Sequence, residues 1–257
     1  MELLFIPLVA CGASLLTFFS GFGLGTLLTP VFVMVFPIEQ AVAMTAIVHF
    51  LNGLFKLVLV GRHLDKNVLL RFGLPAMIAS LLGAWVLIQL TGVPPLLSYI
   101  LFDHRFVILP VKLIMALLIM GFTLFEIIPS LQRLEFDRKF LPVGGLLSGF
   151  FGGLSGHQGA LRSAFLSRSG LSKEQFIATG VAISVIIDIS RLFIYSGFII
   201  HASIISHRKL LILSTLAAFA GAWLGSLWLK KVTMRSLQRV ISISLFLLAL
   251  ALGIGLI

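Results

Sequence analysis

The chain has 257 residues, of which 59% are hydrophobic and only 11% charged. A soluble domain carries about 25% charged residues, so a water-soluble globule is excluded. The net charge of +10 comes from Lys and Arg placed in short stretches between apolar runs, as in the cytoplasmic loops of a membrane protein and unlike a nucleic-acid groove. One cysteine, Cys11, rules out intrachain disulfides and paired-thiol chemistry.

In chain order, the first predicted element is an apolar run over 3–36, interrupted by Ser20-Gly21-Phe22-Gly23-Leu24-Gly25. Leu8-Val9-Ala10-Cys11 looks like a lipoprotein cleavage box, but no Lys or Arg precedes it, so residues 1–20 are kept as structure. Three apolar segments follow at 41–61, 68–91 and 108–128. A polar linker over 129–140 separates them from a second broken run, 141–168, which carries Ser148-Gly149-Phe150-Phe151-Gly152-Gly153-Leu154-Ser155-Gly156. Segments 176–198, 208–229 and 237–257 complete the chain. Each unbroken segment has 21 to 24 residues, and a helix needs roughly 20 to cross the hydrocarbon.

Charge placement chooses the topology. If each broken run enters and leaves on one side, that face receives Arg62, Lys66, Arg71, Arg133, Arg138, Lys139, Arg168, Lys173, Lys230, Lys231, Arg235 and Arg239. The opposite face receives only Arg105, Arg208 and Lys209. If each broken run crosses once, the two faces share the basic residues almost evenly. The positive-inside rule therefore predicts two hairpins, extracytoplasmic termini and a cytoplasmic linker.

Each half is then a hairpin plus three crossings, and the odd number of crossings inverts the second half relative to the first. Glu39-Gln40 aligns with Glu174-Gln175, which sets Lys56 on Arg191 and His49 on Ser184, and Gly83-Ala84-Trp85 aligns with Gly221-Ala222-Trp223. The expected fold is an all-α polytopic membrane protein of two inverted repeats, 1–128 and 141–257, each a Gly-broken helical hairpin followed by three transmembrane helices.

Eight apolar segments in two halves, each opened by a Gly-rich Ser-Gly-Phe element, resemble the TauE/SafE sulfite-exporter family, also called the toluene-sulfonate uptake permease family. The family's Gly-x-Gly-Gly-Gly-x4-Pro pattern reads here as Gly21-Phe22-Gly23-Leu24-Gly25, Thr26 to Thr29, then Pro30, with Leu24 in place of one glycine. In the second half Gly156-His157-Gln158-Gly159 and Arg162 stand where small and apolar residues with a proline are common. The resemblance implies transport of sulfur-containing or organosulfonate anions.

The residues themselves point to an anion site. Helix N-termini resuming after Gly25 and Gly156 would expose unpaired N–H groups and about half a positive charge each. In an inverted repeat the two tips converge near the midplane. The glycines have a second reading, close helix packing. The expected substrate-binding set is Gly21, Phe22, Gly23, Gly25, Thr26, His49, Asn52, Ser155, Gly156, His157, Gln158 and Arg162. A buried Arg is expensive in hydrocarbon and must face protein or water, so Arg162 either grips the anion or snorkels toward Arg168. His49, Asn52 and Lys56 share one helix face, as do Ser184, Asp188, Arg191 and Tyr195. Lys56, Asp188 and Arg191 are expected to couple or gate, with a locking ion pair as the other reading of Asp188 and Arg191.

The expected function is a secondary transporter of a small anion such as sulfite, an organosulfonate, a related oxyanion or a carboxylate, not an enzyme. The alternatives are a passive anion channel and an intramembrane lipid-phosphate hydrolase built on Arg162, His157 and Asp188. No Gly-x4-Gly-Lys-Ser/Thr loop is present, so the chain is not read as an ATPase. No cofactor, metal or nucleic acid is expected. The expected partners are the anionic substrate, membrane lipid and, for uptake against the membrane potential, a co-transported proton or sodium ion; a homo-oligomer stays open. The expected location is the bacterial inner membrane.

Overall fold

A computed structural model describes residues 2–20, 23–101, 104–132, 135–201, 204–227 and 245–256. The expected site residues Gly21 and Phe22, and the basic residues Arg133, Lys230, Lys231, Arg235 and Arg239, lie outside them. The chain is an all-α membrane protein. The first broken run is α1 (Glu2–Ser20) and α2 (Leu24–Val33), and it leads to α3 (Ile38–Val60) and α4 (Lys66–Thr91). A short hairpin of β1 (Leu97–Leu101) and β2 (His104–Ile108) precedes α5 (Pro110–Ile127) and the short α6 (Pro129–Gln132). The second half holds α7 (Leu141–Ser155), α8 (Gly159–Leu166), α9 (Lys173–His201) and α10 (Arg208–Leu227), then a helical segment over 245–253.

The β-hairpin lies between two predicted helices and moves the start of the third segment from 108 to Pro110. Proline at the first helical position has no N–H to leave unpaired and a φ already set for the helix. Tyr99 stacks on Phe106 and donates its hydroxyl to the Ile254 carbonyl at 2.6 Å, so the hairpin is tied to the end of the chain.

Among the described residues, four helices within 38–63, 66–91, 173–197 and 208–227 are long and apolar enough to cross a membrane. Their outward faces are apolar, with Val58, Ile78, Phe193 and Leu216 exposed, which suits a surface solvated by lipid. By contrast α2 and α8, with 10 and 8 residues, are only about 15 and 12 Å long and cannot cross alone.

Packing between the halves is reciprocal. Helix α1 lies along α10, and α7 lies along α4; α3 and α9 pack on one another, while α4 packs on α9 and α10 on α3. The closest approaches repeat the same detail. A methyl group on Gly83 would meet the Phe150 carbonyl and the Leu154 amide; one on Gly221 would meet the Cys11 carbonyl and the Leu15 amide. Phe150 and Leu154 each stand 139 positions after Cys11 and Leu15, and Gly221 stands 138 after Gly83. Trp85 and Trp223, beside these glycines, are both about half exposed.

Helix α3 runs antiparallel to α9, since His49 meets Asp188, Gly53 faces Val185 and the Asp65 amide donates to Thr179 Oγ1 at 3.0 Å. Asp65 also caps α4, its carboxylate accepting from the Val68 amide at 2.9 Å. Asp65→Ala is expected to cost about 1 kcal/mol, within the usual range for losing an N-cap, read as a lower melting temperature in detergent.

Candidate functional site

Both helix breaks are built by glycine, in different ways. Gly23 caps α2 in an extended conformation and its carbonyl accepts from the Thr26 amide at 3.1 Å. Gly156 ends α7 at φ +80, a left-handed conformation that glycine adopts without steric cost, and its amide bonds the Gly152 carbonyl at 2.9 Å. The two tips meet: a Cβ on Gly25 would lie 3.2 Å from the Gly156 carbonyl oxygen.

Beside this contact is a cavity of about 40 Å³ lined by both halves of the chain. Its polar lining comprises Lys56, Arg162, His49, Asn52, Thr17 and Ser184, and Gly23 contributes backbone; among the described residues no acidic side chain lines it. Lys56 is 7% exposed and Arg162 5%. The Lys56 ammonium sits 5.5 Å from the centre of the Phe18 ring, within cation–π range. Arg162 reaches back to Gln158 Oε1 at 3.4 Å, and its stem passes Gly180, whose lack of a side chain admits it. Asn52 Oδ1 accepts from Ser14 at 3.2 Å, which fixes the amide's orientation.

Next to the cavity, on the antiparallel α3–α9 seam, lies a buried charged group. Asp188 accepts from Arg191 Nε at 2.9 Å and pairs with Nη2 at 2.7 Å. Its other oxygen accepts from His49 Nδ1 at 2.5 Å. Asp188 and Arg191 are fully buried and His49 is 5% exposed. Since Nδ1 is committed to the carboxylate, His49 presents Nε2 to the cavity, and this nitrogen would lie 3.1 Å from a Cβ on Gly23. Its protonation state therefore bears on the charge the cavity presents.

Of the expected substrate-binding residues, Gly23, His49, Asn52 and Arg162 line the cavity. Lys56, expected to couple or gate, lines it too, whereas Asp188 and Arg191 stand behind its wall. Gly25 and Gly156 form the tip contact. Thr26, Ser155, His157 and Gln158 are buried near the tips, outside the cavity lining. The His157 ring Nδ1 is bonded to Ser155 (3.1 Å to its carbonyl), and the ring stacks on Phe122. The Gln158 carbonyl accepts from Ser148 at 3.0 Å, and Tyr195 donates to the Gly153 carbonyl at 2.5 Å, fastening the end of α7 to α9. Sequence reasoning left out Thr17, Phe18 and Gly180. Gly180 extends the Ser184–Asp188–Arg191 stripe backward by one turn, so its signal lay in the same periodicity. Among the described residues, no three His, Cys, Asp or Glu side chains gather as a metal-binding group.

No curated protein and no solved structure matches the chain. The family model described as sulfite exporter TauE/SafE matches residues 6–252. With its apolar spanning helices, the chain is an integral membrane protein and belongs to the TauE/SafE family of membrane sulfite exporters.

Proposed function

We propose that this protein is a secondary transporter that binds a small oxyanion between Lys56 and Arg162. Sulfite, an organosulfonate, a related sulfur oxyanion and a small carboxylate all belong to the proposed substrate range. The observation that carries the reading is that two buried cations, Lys56 and Arg162, face one cavity whose described lining holds no acidic side chain. Two positive charges facing one cavity attract an anionic ligand that a transporter can exchange. A buried water needs about 10–15 Å³ of cavity, so 40 Å³ holds roughly three waters, or the head of one inorganic oxyanion. Organosulfonates would need a wider state of the same cavity.

The cavity sits toward the end of α3 and the start of α9, beside the basic loops that charge placement assigns to the cytoplasm. The reciprocal packing of α1 on α10 and α7 on α4 supports the inverted repeat. Alternating access follows when one repeat moves against the other about the tip contact. That contact, with its two tips in van der Waals range, favours a carrier over an open channel. Export of an anion runs down the inside-negative potential. Uptake works against ~2.3 kcal/mol per charge per 100 mV and needs a co-transported cation, for which the His49–Asp188 pair is the proposed proton carrier. Both termini are placed outside the cytoplasm, in a bacterial inner membrane.

The test is sulfite flux in proteoliposomes. Lys56→Met and Arg162→Met are each expected to weaken half-saturation by about tenfold or more, the scale of a lost charged hydrogen bond. Wild-type half-saturation in a well-folded Lys56→Met/Arg162→Met protein would defeat the pocket.

A further inference from the structure

We propose that the protein holds a second oxyanion position on the far side of the tip contact, where Arg191 Nη1 and the hydroxyls of Thr29 and Thr45 coordinate the same class of ligand. The proposal rests on the transporter reading above and adds to it a second stop on the path. Arg191 offers one edge of its guanidinium, Nε and Nη2, to Asp188. Its Nη1 has no hydrogen-bond partner among the described residues, although the side chain is fully buried. Thr29 and Thr45 are also fully buried, and neither hydroxyl finds a partner there. A buried helical hydroxyl ordinarily bonds back to its own helix, as Ser80, Ser184 and Ser190 do in this protein. Thr29 and Thr45 do not.

Arg191 and Thr29 meet at one tip glycine, and Thr45 stands beside the other. A Cβ on Gly156 would lie 3.0 Å from Arg191 Nη1 and 3.6 Å from Thr29 Oγ1, and one on Gly25 would lie 3.6 Å from the Thr45 methyl carbon, Cγ2. Unpaired donors cost about 1–3 kcal/mol each when buried, so Arg191 Nη1 and Thr29 Oγ1 together call for a ligand that accepts from both, with the Thr45 hydroxyl one turn of a rotamer from joining them. An oxyanion accepts through several oxygens at once, and a guanidinium edge matches its geometry.

Symmetry in the sequence supports the same conclusion. Arg191 is the residue that the repeat places on Lys56. Along the seam the order is Lys56, then the His49–Asp188 pair, then Arg191 with Thr45. Thr45 and Lys56 are eleven residues apart on α3, about 16 Å along its axis. The two cationic positions are therefore separated along the seam by the His49–Asp188 pair. The cavity lies at the Lys56 position, and on this proposal the opposite state would open the Arg191 position instead.

The experiment compares sulfite transport from each face of proteoliposomes. Wrong-way copies are silenced by an impermeant thiol reagent at a loop cysteine introduced on a Cys11→Ala background. Thr29→Val/Thr45→Val replaces each hydroxyl by a methyl of the same shape. Its melting temperature without anion is expected to equal or exceed the wild type, because unpartnered hydroxyls do not stabilise. Its half-saturating sulfite concentration is expected to rise about tenfold or more at the face reached by the C-terminal end of α9, with less than a twofold change at the other face. Thr29→Ser/Thr45→Ser, which keeps both hydroxyls, is expected to behave as wild type. Unchanged half-saturation at both faces overturns the second position, as does an equal loss at both faces with a lowered melting temperature. Lys56→Met separates the two ideas: if it changes neither face while the threonine variant weakens the far one, the Lys56 pocket fails and the second position stands. Absence of sulfite flux in the wild type overturns both.

Discussion

Gly149→Ala is expected to destabilise the protein by about 1–3 kcal/mol or more, the scale of overpacking a core, whereas Gly121→Ala should be neutral or slightly stabilising. The contrast separates two glycines that composition alone treats alike. A Cβ on Gly149 would lie 2.6 Å from the Ala76 Cα and 2.7 Å from its carbonyl carbon, closer than any real contact. Both are backbone atoms that cannot rotate aside. Gly145 and Gly153, one turn away on either side, abut the backbone at Phe72 and Ser80 in the same way. Helix α7 therefore lies against α4 along a continuous stripe of missing side chains, the membrane form of close helix packing. A methyl group anywhere on the stripe must push the two helices apart over several turns. Gly121 has nothing within 4 Å of the position a Cβ would take, and it is exposed on α5. There the change to Ala brings only the gain of about 1 kcal/mol in helix propensity. Gly221→Ala, which meets the Cys11 carbonyl, is expected to resemble Gly83→Ala, which meets the Phe150 carbonyl. Melting temperatures of the four purified proteins in one detergent decide the matter. A Gly149→Ala protein as stable as Gly121→Ala would remove the close-packing account of α7.

Much of the helical architecture was legible from hydropathy, because lipid leaves a chain few choices. Backbone groups in hydrocarbon must be satisfied within helices, so the long apolar runs mark the helices directly. The broken runs were legible because Gly23 and Gly156 stand where each helix ends or restarts. The β-hairpin over 97–108 was not legible. It is a ten-odd-residue stretch between helices whose apolar residues continue the neighbouring runs, and its anchor, Tyr99 to the Ile254 carbonyl, spans most of the chain. Periodicity singled out the His49–Asn52–Lys56 and Ser184–Asp188–Arg191 faces, but not how they divide. Lys56 turns to the cavity and Arg191 turns behind it because α3 and α9 run antiparallel. Equivalent residues of the two faces are therefore carried to opposite ends of the seam. The glycines show the same limit. Packing and site formation were competing readings for one motif, and the structure sets neighbouring glycines in different surroundings. Gly145, Gly149 and Gly153 pack against α4, while Gly23 lines the cavity and Gly156 lies beside Arg191.

Asp188→Asn is expected to cost about 3–5 kcal/mol, the usual penalty for leaving a buried charge without its partner. Asp188 is the sole acid paired with Arg191 among the described residues, by a hydrogen bond from Nε at 2.9 Å and an ion-pair contact to Nη2 at 2.7 Å, and both side chains are fully inaccessible. The amide keeps the shape but replaces one acceptor by a donor. It can satisfy the guanidinium or His49, and in either case the positive charge of Arg191 has lost its counter-ion. Asp188→Asn/Arg191→Met is therefore expected to recover part of the lost stability, since it removes the stranded charge together with its partner. Proton coupling is a separate question, and His49→Gln isolates it. That change leaves the Asp188–Arg191 pair intact and keeps a hydrogen-bonding group beside Asp188, but it removes the imidazole that would carry the proton. If the His49–Asp188 pair couples a proton to the anion, His49→Gln should abolish sulfite uptake driven by a pH gradient while anion exchange continues, with little change in melting temperature. Asp188→Asn should lose both modes together with its stability. Wild-type driven uptake in His49→Gln would end the coupling proposal and leave the ion pair as a structural lock. An Asp188→Asn protein as stable as wild type would instead show that Arg191 does not depend on Asp188 for its charge balance.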